Sequence, residues 1–297
     1  MKTFLFVITI VLSLNIGTNI YSQTEKIVES GRQDSDKSCE IMYVANEGFL
    51  LETKSQKVLI DALFGNIKGN WCDQPNDSLI NKMIFGVPPF DNIDLVLITH
   101  KHTDHFNKQM TIDFLRNNSK SVLICPDQVN ELLKKDADYS KVSTRITSLK
   151  PSNSFDTTLI SNKINLRILR FNHGSYYLKD SVTGEPVNIH KDIENFGYLI
   201  ETDGFSFFHS GDDNPINVPQ YKSYNFQNTK IDVALLDRVF LTPKGMDLVK
   251  DFINTRYLIY MHIEPTGRKF YQSIKNPPGA TPQIIIYSKP LERKRIF

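Results

Sequence analysis

Three of the chain's seven histidines fall in one short string, Thr99-His100-Lys101-His102-Thr103-Asp104-His105. Neutral imidazole and carboxylate are good ligands for zinc and related borderline divalent metals. Alternate side chains of an extended turn point the same way, so His100 and His102 can converge on one ion. Asp104 and His105 then face elsewhere and can reach a neighbouring one. The string follows Leu95–Ile98, a continuous apolar run of strand length. The end of a buried strand is a usual place for a functional site. The other histidines are His173, His190, His209 and His262; His190 lies in a polar stretch and reads as a surface residue.

Elements must carry these side chains together. The apolar runs Ile41–Leu51 and Val58–Ile60, with a polar turn Thr53–Lys57 between them, predict a β-hairpin. Residues 62–92 read as irregular, with one short helix near Ser78–Phe85. This stretch holds the only tryptophan, Trp71, along with Phe64 and Phe90. Helical spacing at Gln109–Leu115 and Val129–Lys135 flanks a buried strand over Ser119–Cys125. Further strands are expected at Ile164–Phe171, Gly197–Glu201, Phe205–His209, Val233–Leu236, Leu258–Met261 and Ile284–Ile286. Helices are expected at Met246–Ile253 and Arg268–Ile274, and the chain ends in a basic tail. Each half opens with antiparallel-looking strands and closes with strands alternating with helices. Two sheets packed face to face, with helices outside, satisfy that order.

The N-terminus reads as an address. Lys2 precedes the apolar run Phe4–Leu14, which Asn15, Gly17 and Asn19 break before it reaches membrane length. Residues 1–22 are expected to be a cleaved signal peptide and 23–38 a polar linker, leaving 39–297 as the folded domain. The expected location is secreted or periplasmic, with no stable membrane span after cleavage. At 40% hydrophobic and 23% charged, the chain can bury a sizeable core. Its net charge of +2 lacks the basic surplus of a nucleic-acid binder. Cys39, Cys72 and Cys125 are too few and too far apart for a disulfide framework.

His100, His102, Asp104 and His105 match the metal-binding motif of the metallo-β-lactamase superfamily, and four other stations resemble it in order. These are Val58-Leu59-Ile60-Asp61, Phe171-Asn172-His173-Gly174, His209-Ser210-Gly211-Asp212 and Tyr260-Met261-His262. The resemblance implies an α/β fold of the αββα four-layer sandwich type, with two mixed sheets and the metal site at one edge. It implies that His100, His102 and His173 hold a first metal, that Asp104, His105 and His262 hold a second, and that Asp212 bridges them. Asp213 competes with Asp212 for that role; Asp212 fits better because Gly211 lets the backbone turn sharply as the strand ends. Asp61 would orient a ligand from behind. His209 would do the same or face substrate, with a satisfied buried histidine as the other reading.

The motifs come nearest the branch of ascorbate-phosphate lactonase-like and phospholipase-D-like hydrolases. β-Lactamases of the commonest subclass carry cysteine where Asp212 stands, and flavodiiron enzymes carry glutamate where His102 stands. The leader and the balanced charge argue against RNA-processing relatives. The expected function is a dinuclear zinc hydrolase, with Mn2+ or Fe suited to similar ligand sets. A metal-activated hydroxide would attack an ester, lactone or phosphodiester, with Asp104 helping to orient it and to carry a proton. Two divalent ions bring about four positive charges against about three negative ones, an excess that suits a small anionic substrate. Trp71, Tyr176 and Tyr177, together with Phe64 and Phe90, are candidate walls of the mouth. The alternatives are a non-catalytic metal-binding or sensing module and a cell-envelope binding protein. Oligomeric state is left open.

Overall fold

A computed structural model describes residues 38–297 other than 153, 275 and 278. The expected leader, and the linker up to residue 37, lie outside the described residues. The first half runs β1 (Glu40–Ala45), β2 (Gly48–Glu52), β3 (Lys57–Ile60), α1 (Asp77–Ile84), β4 (Leu95–Leu97), α2 (Lys108–Asn117), β5 (Val122–Pro126), α3 (Asp127–Leu133) and β6 (Ile146–Leu149). The second runs β7 (Asp156–Ser161), β8 (Ile164–Asn172), β9 (Tyr177–Lys179), β10 (Pro186–Asn188), β11 (Glu194–Thr202), β12 (Phe205–His209), α4 (Val218–Ser223), β13 (Ile231–Asp237), α5 (Pro243–Leu248), β14 (Thr255–Met261), α6 (Arg268–Gln272), β15 (Gln283–Ile285) and β16 (Arg293–Arg295).

One seven-stranded sheet has the order β16-β1-β2-β3-β4-β5-β6 and the other β15-β14-β13-β12-β11-β8-β7. Both are mixed: β3 to β6 pair in parallel, as do β12 to β15, and the remaining pairs are antiparallel. Alternation along the strands builds the layers. Ile41, Phe49, Ile60 and Leu97 of the first sheet meet Ile168, Tyr198, Phe207 and Val233 of the second in one core. Their neighbours Met42, Leu50, Leu59 and Val96 turn outward against Met83, Phe114 and Val129 of α1 to α3. Leu169, Phe208 and Leu236 do the same towards Tyr221 of α4 and Leu248 of α5. This is the four-layer αββα sandwich. Strands covered on both faces read as continuous apolar runs, which is why β4 and β13 stand out in the sequence.

Some elements differ from expectation. The run Ile41–Leu51 is two strands, because Asn46 takes a left-handed backbone (φ 48°) and turns the chain. The Met246–Ile253 helix changes at Val249 to a π turn. The basic tail is an edge strand: β16 pairs with β1, and Ile296 packs into the inter-sheet core. Strand β7 was not expected, since its exposed and half-buried residues alternate without an apolar run. All three cysteines are buried and free. No helix among the described residues is long and apolar enough to cross a membrane.

Candidate metal centre

The parallel strands deliver the site at their C-terminal ends. Asp61 follows β3, the histidine string follows β4, Asp237 ends β13 and His262 follows β14. Asp61 fixes the string at its root: it accepts from the Thr99 backbone N–H (2.8 Å) and from Thr99 Oγ1 (2.5 Å). Phe196 N donates to the Thr99 carbonyl (3.0 Å) and the Tyr198 hydroxyl to the Ile98 carbonyl (2.8 Å), so the second sheet grips the same turn. Asn107 then caps α2 by accepting from Met110 N. The string is therefore pinned at both ends.

Four donor atoms converge on one side. His100 Nε2 lies 3.0 Å from His102 Nδ1 and 3.3 Å from His173 Nε2; His173 Nε2 lies 3.1 Å from His102 Nδ1 and 3.0 Å from Asp212 Oδ2. Two of the other ring nitrogens are committed. His173 Nδ1 donates to the Gly174 carbonyl, and His100 Nδ1 to Thr99 Oγ1, whose own hydrogen goes to Asp61. The converging nitrogens of His100 and His173 are thus lone pairs facing one another. A tetrahedral ion with bonds of about 2.0–2.1 Å holds its ligands roughly 3.3 Å apart, which matches this cluster.

A second set lies alongside. His105 Nε2 is 3.2 Å from Asp212 Oδ1 and 3.4 Å from Asp104 Oδ2, and His262 Nε2 is 3.5 Å from Asp104 Oδ2. The far nitrogens again point at carboxylates: His105 Nδ1 at Asp61 (2.9 Å) and His262 Nδ1 at Asp237 (2.9 Å). Such backing fixes ring orientation and raises ligand basicity. His105 Nε2 and Asp212 Oδ1 are buried without a hydrogen-bond partner. These orphaned atoms, with the facing lone pairs, fit bound divalent metal.

The electrostatics agree with the geometry. Burial, with His105 next to it, holds His100 well below the ordinary imidazole range, and burial beside His173 pushes His102 down to about 4. Both are neutral ligands at neutral pH. Burial works against charge on His105 and His262, but the surrounding carboxylates outweigh it and raise both; Asp212 heads those causes in each case. Asp212 and Asp104 are correspondingly held below the carboxylate range, against the opposing effect of burial, with His105 the main cause.

The backbone is strained where it serves the site. Asp61 (φ 43°) and His262 (φ 57°) are non-glycine residues in the left-handed region, a conformation kept only where the surroundings over-determine it. Gly211 (φ 55°) makes the turn before Asp212, where a Cβ would sit 3.0 Å from that of Thr99.

His209 is fully buried and holds two turns together. Its Nδ1 accepts from Gly211 N (3.2 Å) and its Nε2 donates to the Glu47 carbonyl (3.0 Å). It does not face the cleft. Asp213 points away from the donors, accepting from Asn217 and from the Tyr221 hydroxyl, and burial pushes it up to about 7.

Over the donors lies an open cleft of about 430 Å3. Trp71 forms one wall, its ring edge-on to His262 with centroids 6.3 Å apart. His190 forms another; it is not a bland surface residue, because its Nδ1 is tied to the Gly174 carbonyl (3.0 Å) and its ring lies 4.4 Å from His173 and 4.7 Å from His102. The Tyr176 ring lies tilted against His190 (5.6 Å), whereas Tyr177 is exposed on β9 and does not line the cleft. Phe64 and Phe90 are fully buried and belong to the packing, not the mouth.

Two carboxylates at the site are absent from the sequence reading. Asp237 has the same signal as Asp61, an acid ending an apolar run. Glu47 is the one acid inside the apolar stretch 41–51, placed by the β1–β2 turn. It is fully buried, both its oxygens lack hydrogen bonds, and it lies 3.8 Å from His105 Nδ1 and 3.9 Å from His262 Nδ1. Burial, reinforced by Asp212, raises it well above the carboxylate range.

Residues 56–268 match the family model described as the β-lactamase superfamily domain. The chain belongs to the metallo-β-lactamase superfamily. Family and donor set together class it as a metal-dependent hydrolase. Among solved structures the fold is similar to Igni18, a metallo hydrolase from Ignicoccus hospitalis (TM-score 0.55, 15% identity, covering 87% of this chain and 98% of that one). It is also similar to an isothiocyanate hydrolase from Delia radicum gut bacteria (TM-score 0.53, 17% identity, 86% and 98%). A third likeness is to the CmlA β-hydroxylase of Streptomyces venezuelae (TM-score 0.51, 14% identity, 88% of this chain and 53% of that one). These likenesses are of fold alone, and a fold shared with a hydroxylase does not name the bond cleaved. Comparison with curated protein sequences found no match.

Proposed function

We propose that this protein is an exported dinuclear hydrolase of a small anionic ester, lactone or phosphodiester, with zinc as its preferred metal. The supporting observation is the division of Asp212: Oδ2 serves the His100–His102–His173 set and Oδ1 the His105 side. A carboxylate shared in this way is what a pair of ions requires. In this reading His100, His102 and His173 would hold one ion, Asp104, His105 and His262 would hold the other, and Asp212 would be shared between them. The ions would supply Lewis-acid polarisation of the substrate oxygen and an acidified water.

The chain's own groups do the rest. Asp61 and Asp237 keep the His105 and His262 rings turned with Nε2 inward. Asp104 projects into the cleft and accepts from Asn46 Nδ2 (3.0 Å), which leaves its other oxygen to orient a nucleophilic water and take its proton. Among the described residues no serine or cysteine lines the cleft, which favours direct attack by water over an acyl- or phosphoryl-enzyme.

Metal quantification on the purified protein, followed by a screen of bis-aryl phosphodiesters, lactones, thioesters and a chromogenic cephalosporin, tests the reading. It predicts about two ions per chain and turnover of an ester, lactone or phosphodiester in preference to the cephalosporin. A protein that carries both ions and hydrolyses none of these classes would favour a non-catalytic module. Sequencing the N-terminus of exported protein tests the leader, with Gln23 expected as the first residue.

A further inference from the structure

We infer that Lys101 is the residue that selects an anionic substrate, one bearing a carboxylate or phosphate beside a flat apolar group. The inference rests on the hydrolase reading above and specifies its substrate. Lys101 stands between His100 and His102, half-buried, and lines the cleft. Among the described residues it makes no hydrogen bond and no ion pair, although Asp104 and Asp212 line the same cleft. A half-buried ammonium without a counter-ion, at the lip of a reaction cleft, is a site waiting for an anion.

Charge counting shows what this lysine would add. Two divalent ions bring about four positive charges. Asp104 and Asp212 lie among the donors, and Asp61 and Asp237 lie directly behind them, bonded to His105 and His262. These four carboxylates balance the ions. The positive excess expected from the ligands alone is therefore absent once the carboxylates behind the histidines are included. Lys101 is the one lysine or arginine among the described residues that line the cleft. An anion prefers this mouth because of Lys101, while Trp71 on another wall offers an aromatic edge and face to the apolar part of the same molecule.

Trp71 is the chain's only tryptophan, so its fluorescence reports occupancy of the cleft without any need for turnover. Metal-loaded protein is titrated with benzoate and phenylphosphonate, and with benzamide as the neutral isostere. Wild type is expected to bind the two anions at least about tenfold more tightly than benzamide, the size of one charge-assisted hydrogen bond. Lys101→Met is expected to lose most of that preference with metal content unchanged, and Lys101→Arg to keep it. Benzamide binding as tightly as benzoate, or Lys101→Met binding benzoate like wild type, would overturn the inference. The two readings fail separately. Hydrolysis with no effect of Lys101 on anion preference sinks only the assignment of Lys101. A Lys101-dependent preference in a metal-loaded protein that hydrolyses nothing sinks only the hydrolase.

Discussion

Asp212 carries the heaviest load of any residue in the site, because each of its oxygens faces a different group of donors. Asp212→Ala is expected to lower bound metal below two ions per chain and to abolish turnover; His102→Ala removes a ligand from the first set and does the same. Both variants should remain folded by circular dichroism, since neither residue belongs to the apolar cores. Asp237→Asn keeps the shape of the pair with His262 but weakens its charge. It should cost about 10- to 100-fold in metal affinity or activity, read by competition with a chromophoric chelator. At this scale the sequence is informative where an acid or imidazole closes an apolar run, as do Asp61, His100, Asp237 and His262. It is silent on Glu47, and the polar surroundings of His190 make it read as a surface residue. Glu47 reaches the site only through the β1–β2 turn, and His190 only because the β9–β10 hairpin folds back so that Ile189 N donates to the Tyr176 carbonyl (2.9 Å).

Elements matter here as levers that aim side chains. The Tyr198 hydroxyl on β11 ties the carbonyl that precedes the histidine string, so Tyr198→Phe leaves a buried acceptor short of a partner. A loss of about 1 kcal/mol is expected, measured by urea denaturation. Gly211→Ala forces a side chain into a left-handed backbone position against Thr99 and the Phe196 carbonyl (3.1 Å). It should cost roughly 1–2 kcal/mol or more and weaken metal binding together with stability. Doubly covered strands such as β4, β12 and β13 are legible as apolar runs. Strand β7 and the β9–β10 hairpin are not, because their side chains are largely exposed and carry no burial pattern. The division of Ile41–Leu51 turns on the backbone of Asn46, which apolar periodicity does not register.

The molecule as a whole is a scaffold whose two sheets each contribute one part of the donor set: the histidine string comes from the first, and His173, Asp212 and His262 from the second. Metal should therefore act as a staple between them. Ions bound at about 100 times their dissociation constant stabilise the fold by about 2.7 kcal/mol, so a chelator should lower the melting temperature, and excess zinc should restore it. The C-terminal strand works at the opposite edge of the first sheet. Truncation after Leu291 uncovers β1 and removes Ile296 from the inter-sheet core, which should lower the melting temperature without changing the number of bound ions. The layered order of the fold is legible from the sequence; the pairing of the basic tail with β1 is not, because β16 is three basic residues with no apolar alternation. The most direct trial of the account is anomalous scattering at the zinc, manganese and iron edges from crystals of purified protein. Two peaks are predicted, one on either side of the Asp212 carboxylate, at least one of them at the zinc edge. A well-ordered site showing no peak, or a single ion that leaves His105 and His262 without metal, would contradict it.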